Sequence, residues 1–379
     1  MLKAGRIGKY NEQSHGVRGR LWQGCPTIAV TPGGRLFAGW YSGGSREPSL
    51  RNYSLVAESR DGGLTWSSPL FVIEGFPQDN IQQLDVQLWM DPLDRLWVCW
   101  TQRDWKTDHS KPNHLSCWAV LCDNPDAEAL AFSDPVYLCD GFLRCQPTVL
   151  SDGRWLFCAY NWLHDHYAYY ETCDCGKTFR ACKAGKRLGT ETFDESMILE
   201  RGDGSLLMLS RTSGVGRLAE CVSRDGGSTW AGGAPSAIPT PSTRFFVKRL
   251  KSGRVLLVNN DSDTRRNNMT AFLSEDDGRT WAHSLVLDPR DTSYPDVAED
   301  VRGNLFMVWD RGRATSKAIL VSRVTEQDIL AGELVDPSSY QCNILSKAPT
   351  PAEVSDADAI IAEDRRWSSE VYKTVFPNG

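Results

Sequence analysis

A chain of 379 residues with a formal charge of −6, 41% hydrophobic and 24% charged residues has the apolar content of a folded globular protein. Its acidic balance, with no dense run of Lys and Arg, excludes a nucleic-acid surface that works by counterion release. The polar, Gly-rich run from Met1 to Leu21 lacks the apolar centre of a secretory leader and no window is long enough to span a membrane, so a cytoplasmic protein with no membrane partner is expected.

In chain order, six runs share a turn rich in Gly and Asp, one polar residue and then an apolar strand. They are TPGGRLFAGW (31–40), DPLDRLWVCW (91–100), SDGRWLFCAY (151–160), GDGSLLMLSR (202–211), KSGRVLLVNN (251–260) and VRGNLFMVWD (301–310). The polar markers Arg35, Arg95, Arg154, Ser205, Arg254 and Asn304 recur every 49 to 60 residues, the sign of repeated supersecondary units. Each copy is followed by further strand-like runs, such as YSLVAES (53–59), LSCWAVL (115–121) and MTAFLSE (269–275). The pattern predicts an all-β fold, a six-bladed β-propeller of four-stranded antiparallel blades forming one domain over residues 1–350. Helix is predicted at Thr325–Ala331, ending at Gly332, and at Ser355–Asp364 within a loosely packed tail, 351–379. Most of the twelve cysteines, Cys99, Cys158 and Cys221 among them, sit in apolar runs and read as reduced thiols. Cys173, Cys175 and Cys182 lack the paired spacing of a zinc site, and no metal or cofactor is expected. His164 and His166 read as loop histidines.

Four blades carry a second signature: SRDGGLTW (59–66), TCDCGKTF (172–179), SRDGGSTW (223–230) and SEDDGRTW (274–281). It resembles the Asp box of the sialidase and BNR-repeat superfamily, and the resemblance spans about residues 20–332. The Asp carboxylates, read as Asp61, Asp174, Asp225 and Asp277, are expected to accept bonds from turn amides while the aromatic residue fills the gap between sheets, a structural role.

Equivalent positions of a repeat should form a ring around one mouth of a propeller's channel. Ten residues before the markers lie Cys25, Asp85, Arg144, Glu195, Arg244 and Tyr294; Pro147 suggests a local shift that would put Gln146 at the mouth in place of Arg144. Charged groups before apolar strands are costly unless they pair or bind something, which marks a functional site. The resemblance implies that Tyr294, in SYPD, is the family's tyrosine nucleophile and Glu195, in FDESMILE, the glutamate that activates it. It likewise implies that Arg211 and Arg266 are the second and third arginines of a cluster gripping a substrate carboxylate, with Asp296 of SYPD as a further substrate contact. Two positions depart from the family. Its first arginine is replaced by the run Gly24, Cys25, Pro26, for which Arg244 could compensate, and its acid/base aspartate by a loop whose sole carboxylate is Glu47, with Asp85 as competitor.

Three functions follow from the sequence. The leading one is a retaining exo-glycoside hydrolase acting on a small oligosaccharide or glycoside with a terminal acidic sugar, sialic or uronic. The others are a lyase acting on a uronate and a non-catalytic glycan-binding propeller. Trp89, Trp105, Trp118 and Trp162 are candidates to stack on sugar faces, although most tryptophans read as blade packing.

Overall fold

The structure, a computed structural model, describes residues 3–107, 114–161, 163–188 and 193–375. The repeat resolves into six antiparallel blades, each a meander in which sequence neighbours pair; in the third, Phe142–Leu143 and Ala159–Tyr160 form a two-stranded ladder apart from its four-stranded sheet. The first holds Gln23–Val30, Leu36–Ser42, Tyr53–Ser59 and Phe71–Glu74, with Arg6–Lys9 added outside as a fifth strand. The second holds Ile81–Met90, Leu96–Asp104, Leu115–Cys122 and Val136–Asp140. The last runs Thr292–Glu299, Leu305–Arg311, Ala318–Val324 and Tyr340–Lys347.

The turns explain the repeat. The residue before each marker is left-handed: Gly34 (φ 86°), Asp94 (φ 60°), Gly153 (φ 89°), Gly204 (φ 79°), Gly253 (φ 93°) and Gly303 (φ 83°). Only Gly, or less readily Asp and Asn, takes that conformation cheaply, which is why Gly and Asp mark the strand-to-strand turn in every copy.

The chain forms two compact units. The first comprises Met1–Gly141, Trp309–Leu320 and Ile344–Gly379, the second Phe142–Val308 and Val321–Asn343. In the first unit the facing strands of neighbouring blades close over Phe37, Val56, Val86, Leu88, Val98 and Trp100. Gly39 lets them approach, since a Cβ there would lie 2.9 Å from Val86. In the second unit the equivalent layer is Leu156, Tyr167, Tyr169, Ile198, Met208 and Cys221. Trp89, Trp105 and Trp118 are buried in such packing and offer no open face for stacking: Trp118 lies edge-on to Tyr137, and Trp105 edge-on to Trp367. Trp162 lies outside the described residues.

The Asp boxes are self-contained turns. Asp61 accepts from Leu64 N at 3.1 Å, Thr65 N at 3.0 Å and Thr65 Oγ1 at 2.5 Å, while Gly63 N donates to Ser59 Oγ at 3.0 Å. These donors, the Thr65 hydroxyl foremost, hold the Asp61 carboxyl down to about 2. In the fourth copy the carboxylate is Asp276, not Asp277: Asp276 accepts from Thr280 N at 2.8 Å and Thr280 Oγ1 at 2.7 Å. The motif needs the residue two after the serine, and Ser274 fixes that as Asp276; Asp277 turns away to pair with Arg249. Asp276→Ala is expected to lower the melting temperature by about 1 to 3 °C, read by circular dichroism, because several turn donors lose their acceptor together.

All twelve cysteines are free, and burial pushes the Cys158 thiol up to about 12, as befits a small core residue. The helix Glu326–Ala331 starts on a capping box at Thr325 and stops at Gly332 (φ 75°). The C-terminal helix is longer and better seated than the tail reading allows. It spans Ala357–Val375, packs Ala357 and Ile360 against Leu21 and Val354, and buries Asp364, which accepts from Ser45 N at 2.6 Å and Ser45 Oγ at 2.8 Å. Among the described residues, no helix is long and apolar enough to cross a membrane.

Candidate active site

In the second unit the repeat register brings together residues far apart in sequence. Arg144 follows the strand Phe142–Leu143, Glu195 precedes Ser196–Glu200, Arg244 precedes Phe246–Arg249, and Tyr294 lies in Thr292–Glu299. Arg211 immediately follows Leu206–Ser210, and Arg266 stands in the loop after Val255–Asn260. Three of these groups meet at the Tyr294 hydroxyl, which donates to Glu195 Oε1 at 3.3 Å and accepts from Arg144 Nη1 at 3.1 Å and Arg211 Nη1 at 3.0 Å. Glu195 also accepts from Arg144 Nη1 at 2.8 Å and, on its other oxygen, from Arg211 Nη1 at 2.8 Å. Arg244 braces the backbone beneath, donating to Arg144 O at 2.7 Å and Tyr294 O at 3.2 Å. Arg266 donates to Ser242 O at 2.8 Å and carries its guanidinium 5.4 Å from the centre of the Tyr294 ring.

The electrostatics set the protonation. Burial opposes charge on Glu195, but Arg211 and Arg144 outweigh it and hold the carboxyl down to about 2. Burial raises the Tyr294 phenol, Glu195 raises it further, and Arg211, Arg144 and Arg266 oppose them without reversing the shift. The resting pair is therefore a neutral phenol hydrogen-bonded to an ionised carboxylate. Tyr294 is also left-handed, at φ 58°. For a bulky residue that backbone costs about 1–3 kcal/mol, and such outliers concentrate where a side chain must be aimed.

The first unit gathers a different set. Donor atoms of Cys25, Glu47 and Asp85 all lie within 4.8 Å of one another. Arg313 reaches into this group, with Nη2 2.9 Å from Cys25 Sγ, Nη1 3.4 Å from Glu47 Oε2 and Nε 2.8 Å from Asp310 Oδ2. Such a trio of donors would suit a divalent cation, but a guanidinium already supplies positive charge there. Cys25 shares the left-handed backbone of Tyr294, its register equivalent, at φ 52°. Gly24 leaves room for Arg313, since a Cβ at 24 would lie 2.9 Å from its Nε. The run Gly24, Cys25, Pro26 thus carries no arginine of its own but has one laid against it.

Residues 34–307, well over half of the sequence, match the BNR repeat-like domain family. The chain belongs to that family. Over 153 residues, 37% of this BNR-repeat chain, it is 31% identical to a sialidase of Micromonospora viridifaciens, of which the match spans 23%. A Hadza microbial sialidase superposes with a TM-score of 0.63 at 19% identity, over 78% of this chain and 65% of its own. The leech intramolecular trans-sialidase superposes with a TM-score of 0.67 at 15% identity, over 87% of this chain and 71% of its own. These likenesses show the fold, the six-bladed sialidase-type β-propeller.

On that BNR-repeat scaffold, the shift expected at Pro147 does not displace Arg144. Arg144 and Gln146 both lie in the stretch between the strands Phe142–Leu143 and Thr148–Val149, and both side chains reach the segment that carries Tyr294 and Asp296. Arg144 joins Tyr294, while Gln146 Nε2 donates to Asp296 Oδ1 at 3.1 Å and Val297 O at 3.0 Å, two residues further along the same segments. Gln146→Leu removes a buried donor from Asp296 and is expected to cost about 1–3 kcal/mol in urea unfolding. Tyr160 belongs with the cluster although no motif marks it. It stands six residues after its blade's marker, the register of Arg211, and its buried hydroxyl has no hydrogen-bond partner among the described residues. Burial pushes its phenol well up, against the pull of the nearby Arg144 and Arg211. Counting forward from the turn as well as backward would have found it.

Proposed function

We propose that the chain is a sialidase-like exo-glycoside hydrolase that removes a terminal acidic sugar, sialic or uronic, with retention of configuration. The observation that carries this reading is the 3.3 Å hydrogen bond from Tyr294 Oη to Glu195, set among four guanidinium groups of the second unit. Guanidinium forks suit a sugar carboxylate. A phenol, with an ordinary pKa of about 10, needs a neighbouring base to become a nucleophile. In this mechanism Tyr294 Oη bonds to the anomeric carbon as the glycosidic C–O bond breaks, and its proton passes to Glu195. A substrate carboxylate that engages Arg211 draws positive charge from Glu195 and raises its basicity at that moment. The leaving oxygen takes a proton from a general-acid carboxyl group. Water then attacks the anomeric carbon and gives its proton to the carboxylate that had protonated the leaving oxygen, the tyrosyl–sugar bond breaks, and Glu195 returns its proton to the phenolate.

One observation favours the non-catalytic reading. A carboxylate held at about 2 is a weak base until something loosens its arginines. A panel of aryl glycosides, sialoside, glucuronide, iduronide and neutral sugars, decides between the two, with proton NMR of the first-formed anomer. Hydrolysis of one acidic member with retention is the expected result. Inversion removes the tyrosine mechanism, an unsaturated product absorbing in the ultraviolet assigns a lyase, and binding of acidic sugars without turnover assigns a lectin-like protein.

A further inference from the structure

The first unit holds a cavity of about 430 Å³ whose wall includes Trp22, Arg46, Glu47, Lys317, Ile361 and Arg365. Its volume is that of a small-molecule site. Three of these groups are cationic in a chain of net charge −6, and the one carboxylate among them, Glu47, is engaged by Arg313 at 3.4 Å. Lys317 is only 8% exposed, and its ammonium is 3.4 Å from Pro349 O. Burial lowers its pKa, with Glu353 opposing, so an anion brought to it would be favoured. The wall is built rather than incidental. Asp364 fastens the C-terminal helix, which carries Ile361 and Arg365, to the loop that carries Arg46 and Glu47, through Ser45 N, Ser45 Oγ and Ser49 Oγ.

We propose that this cavity is a binding site for a small organic anion whose carboxylate or sulfate pairs with Arg46, Lys317 and Arg365. An acidic sugar unit carries such a group; naming a sugar rests on the hydrolase reading, whereas the anion site does not. The C-terminal helix is then part of a ligand pocket.

The test is calorimetric titration of the full chain with methyl β-glucuronoside, inorganic sulfate and, as a neutral control, methyl β-glucoside. The proteins are wild type, the double variant Arg46→Ala/Arg365→Ala, and Arg266→Ala, which alters only the Tyr294 cluster. Circular dichroism checks that each is folded. The expected result is saturable glucuronoside binding, weakened by salt, lost at least tenfold in the double variant and retained in Arg266→Ala. Sulfate binding with the same dependence on Arg46 and Arg365 supports a site for the anionic group alone, and binding restricted to the glucuronoside supports a sugar site. Equal affinity in wild type and double variant, equal affinity for the neutral glucoside, or no binding by wild type overturns the proposal. Loss in Arg266→Ala alone places the ligand in the Tyr294 cluster and also overturns it. Binding through Arg46 and Arg365 by a protein that hydrolyses no glycoside leaves this site standing while the hydrolase reading falls.

Discussion

Tyr294→Phe is expected to reduce turnover of whichever acidic glycoside the wild type cleaves by at least about 10³-fold, a loss of about 4 kcal/mol of transition-state stabilisation. The ring remains, together with the three guanidiniums 5.4 to 5.6 Å from its centre, so the fold and the grip on the substrate carboxylate are kept. What goes is the oxygen that would bond to the anomeric carbon. The effect should therefore appear in kcat with little change in KM, and the melting temperature should move by only a few degrees. A phenylalanine variant that keeps full activity would remove the nucleophile assignment.

Glu195→Gln is expected to damage both chemistry and stability. Arg144 and Arg211 are 4% and 6% exposed and share this carboxylate, so neutralising it leaves buried positive charge without that partner, at a cost of about 3–5 kcal/mol in urea unfolding. The sign of the pH dependence follows from the depressed carboxyl. Its stabilising contribution is present above the unfolded-state value of about 4.3 and is lost as pH falls toward the folded value of about 2. Wild type should therefore lose stability between about pH 5 and pH 2 more steeply than the glutamine variant. The Asp boxes titrate in the same window in both proteins, so the difference between the two curves isolates Glu195. Parallel curves would show that Glu195 is not held in its charged form by these arginines.

The fold was legible because one local requirement repeats. Each first turn needs a left-handed residue, and the glycines that meet it, with Asp94 once, stand at a nearly constant distance from the ring positions. Counting from those turns brings Arg144, Glu195, Arg244 and Tyr294 together without any alignment. What counting cannot see is the choice between neighbours. Asp276 and Asp277 differ only in which one follows Ser274 by two residues, and Arg144 and Gln146 both reach the Tyr294–Asp296 segment from one stretch between strands, so composition does not separate them. Arg313 was illegible for a different reason: it acts in the loop beyond its strand, where no signature constrains the residue type. The C-terminal helix lies outside the repeat, and its seat includes a buried carboxylate, Asp364, that nothing in its own sequence announces.

The backbone of Tyr294 has an evolutionary corollary. At φ 58° a glycine or asparagine would relieve the local torsional penalty. Selection for thermal hardiness alone, blind to chemistry, should let this codon drift early toward those residues. A lineage that holds the aromatic hydroxyl there is accepting a less robust fold in exchange for what that group does.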